Sequence, residues 1–190
     1  MENVTEIRWH GRGGQGTVTA AKILAEAALT GGKYVQASPE YGPERMGAPL
    51  RAYNRISKND LKIHCQVTNP DIVIVVDPTI MLSIDVTEGT DEDTFVIINT
   101  PLTPSEVRKK LGIEGKKIYT VDATKISIDI LGKPIPNTPM LGALAKVTGL
   151  VTKEDIIEAM KADYGKKFGE SLIKMNIEAI ERADREVKSE

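Results

Sequence analysis

Two uninterrupted apolar runs, DIVIVVD at Asp71–Asp77 and TFVIINT at Thr94–Thr100, constrain the fold of this chain more than any other feature. Successive side chains of a strand point to opposite faces, so a run of β-branched residues fits only a strand covered on both sides. That requirement predicts a parallel sheet inside layers of helix. The surrounding sequence agrees. TEIRWHG alternates and ends in glycine, predicting a short strand at about Glu6–His10, and Val18, Ala21, Leu24, Ala25 and Ala28 form a helical stripe over Thr17–Leu29. KYVQAS reads as a second strand and KIYTVDAT as a further one at about Lys117–Asp122. Between the last two strands TPSE opens a helix over Thr103–Leu111, with Pro104 at the first helical position.

LRAYNRI and LKIHCQV flank the polar turn Ser57–Asp60 and predict an inserted hairpin. After Gly132 the stretch KPIPNTP reads as an extended connector. Helices follow at about Met140–Thr148, Thr152–Asp163 and Lys166–Lys188, the last with Ile173, Ile177, Ile180 and Val187 on one side. The predicted class is therefore α/β, a mostly parallel sheet flanked by helices, with an inserted β-hairpin and a helical C-terminal third. Residues 1–190 are read as a single domain, of which 133–190 are the helical part. That length buries an adequate core without a staple.

Composition removes several function classes. Net charge is −2 with the signs interspersed, and no Lys/Arg run marks a nucleic-acid site. Two Phe, one Trp and five Tyr are too few for a stacking platform on single strands. Cys65 is the sole cysteine, which excludes an internal disulfide and an all-cysteine iron–sulfur site within this chain. His10 and His64 lack ligand spacing for zinc, so no metal is expected. MENVTEIRWHGRG has no apolar signal region and no run reaches bilayer length, giving the expectation of a soluble, cytoplasmic protein without membrane contact. Adjacent on a predicted strand, His64 and Cys65 point to opposite faces and make no nucleophile pair, leaving Cys65 as a small buried thiol. Asp77-Pro78-Thr79 is expected to cap the next helix, and Asn137-Thr138-Pro139 to form a turn or contact point in the connector.

Two loops carry the functional signal. Gly11-Arg12-Gly13-Gly14-Gln15-Gly16, followed by Thr17, satisfies G-x-G-x-x-G between a strand and a helix. Glycines allow close backbone approach, and the first free N–H groups of the helix face whatever anion sits there. Arg12 offers a fork-shaped charge partner, and polar Arg12 and Gln15 are unnecessary if the turn serves only packing. A simple nucleotide site fits poorly. Thr17 stands where a phosphate-transfer loop needs lysine, and Glu40, the acid nearest the second strand's end, is expected beyond it, after Pro39. The second loop, SPEYGPERMGAP, gathers Glu40, Tyr41, Gly42, Glu44, Arg45, Met46 and Gly47 between prolines 39, 43 and 49. It follows the second strand as the glycine turn follows the first, so both should emerge on one edge of the sheet, where open α/β sheets bind ligands. The plain alternative is packing for the turn and solvated charges for the loop.

Together, GRGGQG, EYGPERMGAPLRAYNRIS, NPDIVIVVDPT and NTPMLGALAKVTGLV, in this order from Ile7 to Val151, resemble the gamma subunits of pyruvate (2-oxoacid):ferredoxin oxidoreductases. The resemblance implies an enzyme that decarboxylates a 2-oxoacid on thiamine diphosphate, passes electrons through iron–sulfur clusters to ferredoxin, and leaves the acyl group on coenzyme A. It implies alpha, beta and delta partner subunits carrying thiamine and clusters, and a gamma chain with no catalytic residue in isolation and no cofactor bound alone. The glycine turn (Gly11–Thr17) and the Glu40–Gly47 loop would then form part of a shared site, with coenzyme A the anion nearby. Pyruvate is the first-choice substrate. Gamma chains for 2-oxoisovalerate, indolepyruvate or 2-oxoglutarate are alternatives, as is a free-standing nucleotide-binding module.

Overall fold

In the computed structural model, residues 4–40, 47–63, 65–165 and 169–190 are described. The chain runs β1 (Val4–Arg12), α1 (Thr17–Thr30), β2 (Tyr34–Glu40), β3 (Pro49–Ser57), β4 (Ile72–Val75), a 3-10 helix (Pro78–Leu82), β5 (Phe95–Asn99), α2 (Pro104–Leu111) and β6 (Lys117–Val121). The helices α3 (Ala123–Leu131), α4 (Asn137–Thr148), α5 (Lys153–Tyr164) and α6 (Glu170–Glu186) follow, and β7 (Lys188–Ser189) closes the order. One sheet holds all seven strands in the order β2-β3-β1-β4-β5-β6-β7. Its centre, β1-β4-β5-β6, is parallel, while β3, β2 and β7 add antiparallel strands at the two sides.

The apolar runs behave as their pattern requires. Ile72 and Ile74 of β4 join Ile97 of β5 in a core with Ile7, Trp9 and helices α1 and α3 to α6. Val73, Val75, Val96 and Ile98 point the other way and pack with Ile80, Val86, Val107 and Ile118. Both faces of β4 and β5 are thus apolar and covered, as parallel strands demand. Trp9 is fully buried because its indole N–H reaches Asn54 Oδ1 at 2.8 Å, and Asn54 Nδ2 in turn donates to the Ala21 carbonyl of α1. The predicted start of α2 holds: Thr103 and Glu106 form a reciprocal capping box with Pro104 behind them. Helix α4 crosses α6 at Gly142, where an added Cβ would meet Ile180 Cα at 3.0 Å.

Several expectations are corrected. The antiparallel hairpin is β2–β3, not β3 with Leu61–Val67; described residues of that second segment form no strand. Its LKIHCQV pattern looks strand-like, but β3 is already paired on both sides, by β1 and β2. Cys65 is exposed, not buried, since it belongs to no strand and lies at the surface beside Arg55; His64 lies outside the described residues. Asn137-Thr138-Pro139 is not connector but the first turn of α4, because proline at an N-terminal helical position sacrifices no hydrogen bond. Helix α3, which the sequence expectations did not include, is capped by Asp122 accepting from Lys125 N–H. Last, β2 extends through Pro39 to Glu40. Proline is tolerated on this edge strand, so Glu40 belongs to the strand and is not displaced beyond it.

Candidate functional site

The parallel centre directs the ends of β1, β4, β5 and β6 to one edge. Because β2 is antiparallel to β3 and β3 to β1, the end of β2 at Glu40 reaches that edge too. The glycine turn and the base of the Pro39–Pro49 loop are joined there by two backbone hydrogen bonds, Gly13 N–H to the Ala48 carbonyl and Gly47 N–H to the Gly13 carbonyl, each 3.0 Å. The sequence expectation of a common edge is therefore met by Gly11–Thr17, Glu40 and Gly47. Tyr41, Gly42, Glu44, Arg45 and Met46 lie outside the described residues.

Arg12 and Gln15 do not simply face outward. Gln15 Oε1 accepts from Arg12 N–H at 2.8 Å, while its Nε2 donates to Asp77 Oδ2 at 2.6 Å. Arg12 Nε lies 3.3 Å from Asp77 Oδ2, and the guanidinium also donates to Thr79 Oγ1 and the Gly47 carbonyl. Asp77 caps the 3-10 helix by accepting from Thr79 N–H, as expected. Burial alone would raise the Asp77 carboxyl; hydrogen bonds from Thr79 and Gln15 and the charge of Arg12 outweigh it and hold the group below its usual range. Asp77 and Thr79 thus complete a constellation that the glycine pattern could not show, because they are more than 60 residues away in sequence. The legible signal was only the acid ending a buried strand.

The turn leads into α1, whose N-cap Gly16 has φ 75° and no side-chain cap. L-residues avoid that conformation. Space forbids a side chain as well: a Cβ on Gly16 would lie 2.6 Å from Asn137 Nδ2. Asn137 opens α4, whose N-terminus also lacks a side-chain cap. Two helix starts without a side-chain cap therefore meet at Gly16, and both favour negative charge. Thr17 is buried, its hydroxyl against Gly11 and without a hydrogen-bond partner among the described residues, so its side chain is not open to a ligand at the edge. Glu40 accepts a hydrogen bond from the Tyr53 hydroxyl, a strand away from the turn because β3 lies between β2 and β1. It cannot serve as the ribose acid of a dinucleotide site, which requires the neighbouring strand.

A concavity of about 470 Å³ away from the turn is lined by Met81, Asp85, Leu111 and Lys116, and one of about 220 Å³ adjoins the end of β2, lined by Gln36, Glu40, Tyr53, Arg55 and Cys65. Among the described residues no helix is long and apolar enough to cross a membrane, and no cluster of three or more His, Cys, Asp or Glu is placed to hold a metal ion.

Known proteins resemble the chain over nearly its whole length. Residues 6–186 match the family described as Pyruvate ferredoxin/flavodoxin oxidoreductase. The chain is 51% identical over 183 residues to pyruvate synthase subunit PorC of Thermotoga maritima, covering 96% of this chain and 94% of that one. It is 49% identical over 179 residues to the pyruvate/ketoisovalerate oxidoreductases common subunit gamma of Pyrococcus furiosus, covering 94% of this chain and 97% of the relative. The crystal structure of the T. maritima PORC subunit superposes with a TM-score of 0.87 at 46% sequence identity, over 100% of this chain and 99% of that chain. The chain belongs to the pyruvate ferredoxin/flavodoxin oxidoreductase family.

Proposed function

We propose that this chain is the gamma subunit of a pyruvate:ferredoxin oxidoreductase and supplies one wall of a site completed by partner subunits. The membership itself rests on the family match and on relatives named as pyruvate synthase and common gamma subunits. The observation that carries the shared-site reading is the convergence at one sheet edge of the glycine turn, two uncapped helix N-termini and the base of the Pro39–Pro49 loop. That edge suits an anionic group, and its described carboxylates, Asp77 and Glu40, are taken up by hydrogen bonds from Gln15 and Tyr53.

In this reading Gly11–Thr17 receive the phosphates of coenzyme A, and Glu40–Gly47 meet the partner chains. The geometry changes the part given to Arg12. Its guanidinium is committed to Asp77 and Thr79, so it braces the turn while backbone N–H groups receive the anion. Thiamine diphosphate and iron–sulfur clusters supply decarboxylation and electron transfer on the alpha, beta and delta chains, with ferredoxin as acceptor. A single cysteine cannot furnish the four thiolates of a cluster, which fits that division. The whole chain acts as one domain, cytoplasmic in setting.

The test is the Arg12→Ala, Gln15→Ala double variant in the reconstituted complex. Assembly is retained, and the KM for coenzyme A rises roughly tenfold, the equivalent of ~1.4 kcal/mol. Unchanged turnover and KM would leave the turn a packing element. The name of the Pyrococcus relative favours a second reading, in which one gamma chain serves both a pyruvate and a 2-oxoisovalerate enzyme. Recovery of two different sets of partner chains on the same gamma chain would establish it.

A further inference from the structure

Along β1 the side chains of Glu6, Arg8, His10 and Arg12 alternate with those of the core. They line the sheet face turned away from α1, a polar layer beside the apolar one over β4 to β6. Each is answered from within the chain. Glu6 pairs with Arg55, Arg8 donates to the Val86 and Glu88 carbonyls, and His10 accepts from Arg8. Arg12, last in the row, meets Asp77 at the edge where the glycine turn lies.

Asp77 is 7% exposed and uses both carboxylate oxygens. Oδ1 accepts from the Thr79 N–H at 2.9 Å and from the Thr79 hydroxyl at 2.6 Å. Oδ2 accepts from Gln15 Nε2 at 2.6 Å and lies 3.3 Å from Arg12 Nε. Gln15 carries the contact into the backbone: its Oε1 takes the Arg12 N–H at 2.8 Å, and its own N–H returns to the Arg12 carbonyl at 3.2 Å. Beyond the backbone pairing of Gly13 with Gly47 and Ala48, little else can hold the turn, because four of its six residues are glycines with no side chain to pack. Gly14 is exposed with φ 97°. Asp77, in contrast, follows a strand locked to β1, with Val75 paired to His10 and the Val76 N–H on the His10 carbonyl. A flexible turn tied to a group on a rigid strand is held more precisely than a turn alone.

We infer that Asp77 is the positioning residue of the glycine turn. Its Oδ2, through Gln15 and Arg12, holds the N–H groups of Gly13 to Gly16 in the arrangement that receives an anion. This role is separate from the helix cap, which Oδ1 makes. The inference rests on the coenzyme A reading for its ligand. Only a carboxylate serves both sides. An amide at this position has one oxygen, so either the Thr79 N–H or Gln15 Nε2 goes unmet whichever way it turns. Charge makes the role separable from electrostatics. A carboxylate beside an anion repels it, so removing that charge alone would tighten binding. A loss of affinity on its removal therefore reports geometry.

The test compares Asp77→Asn and Asp77→Ser, both good helix-capping residues, with the parent. In the reconstituted complex the KM for coenzyme A rises roughly tenfold, as for one lost charge-assisted hydrogen bond, while kcat and the KM for pyruvate hold. In the whole chain studied by NMR, the Arg12 N–H, covered in the parent by Gln15 Oε1, exchanges faster with deuterium, with the melting temperature little changed. Unchanged Arg12 exchange in both variants overturns the inference. So does a fall in the KM for coenzyme A, the result of charge alone, or a KM for pyruvate that rises in step with it, the result of a general defect. Faster exchange with both KM values unchanged keeps Asp77 as the residue that holds the turn and overturns the coenzyme A reading instead.

Discussion

At the scale of single residues the chain separates what can be read locally from what cannot. Gly16 and its neighbours announce a turn because only glycine takes φ 75° without strain, and that information is local. Nothing local tells that Arg12 pairs with Asp77, or that His10 is buried beside Arg8, since those contacts depend on which strand lies beside β1. His10 makes a test of the polar layer. Its folded pKa is lowered, chiefly by burial and then by Arg8 and Arg51, to about 3. The unfolded chain therefore binds a proton that the folded chain refuses between about pH 6.5 and that value. The stability attached to His10 is complete above pH 6.5 and is lost as pH falls, by roughly 2 kcal/mol at pH 5. Urea unfolding of the chain and of His10→Asn across pH 5 to 8 measures the difference. A difference that does not vary with pH would refute the burial of a neutral imidazole.

At the scale of elements, hydrophobic period carried the reading. The β4 and β5 runs, the α1 stripe and the α2 capping box appear where their patterns place them. Pairing partners were not legible. LKIHCQV has the composition of a strand but finds no free edge, while β2 continues through Pro39 because an edge strand can spare an N–H. Asn137 illustrates the same gap at the site: it reads as part of a proline-rich connector, and only the packing of α4 brings it against Gly16. The α4–α6 contact gives a prediction at this scale. Gly142→Ala drives a methyl group into the Ile180 backbone, which cannot turn aside as a side chain would, and should cost about 1–3 kcal/mol. Thermal unfolding measures it. A variant as stable as the parent would mean that the two helices pack less closely than described.

For the whole molecule the sequence carried the sheet class and the edge on which both loops emerge, because strand direction follows from connection type. It did not carry the asymmetry of the sheet, apolar over β4 to β6 and charged over β1 to β3, since that depends on strand order. This asymmetry and the open glycine edge suit a chain that completes its site with others. The most direct test is anaerobic affinity purification of the tagged chain from its native cells, with identification of co-purifying proteins and assay of the eluate. A gamma subunit is expected to be recovered with a thiamine-binding subunit and a cysteine-rich subunit, in a complex that reduces ferredoxin with pyruvate only when coenzyme A is present. Recovery of the chain alone, carrying its own nucleotide or flavin, would contradict it.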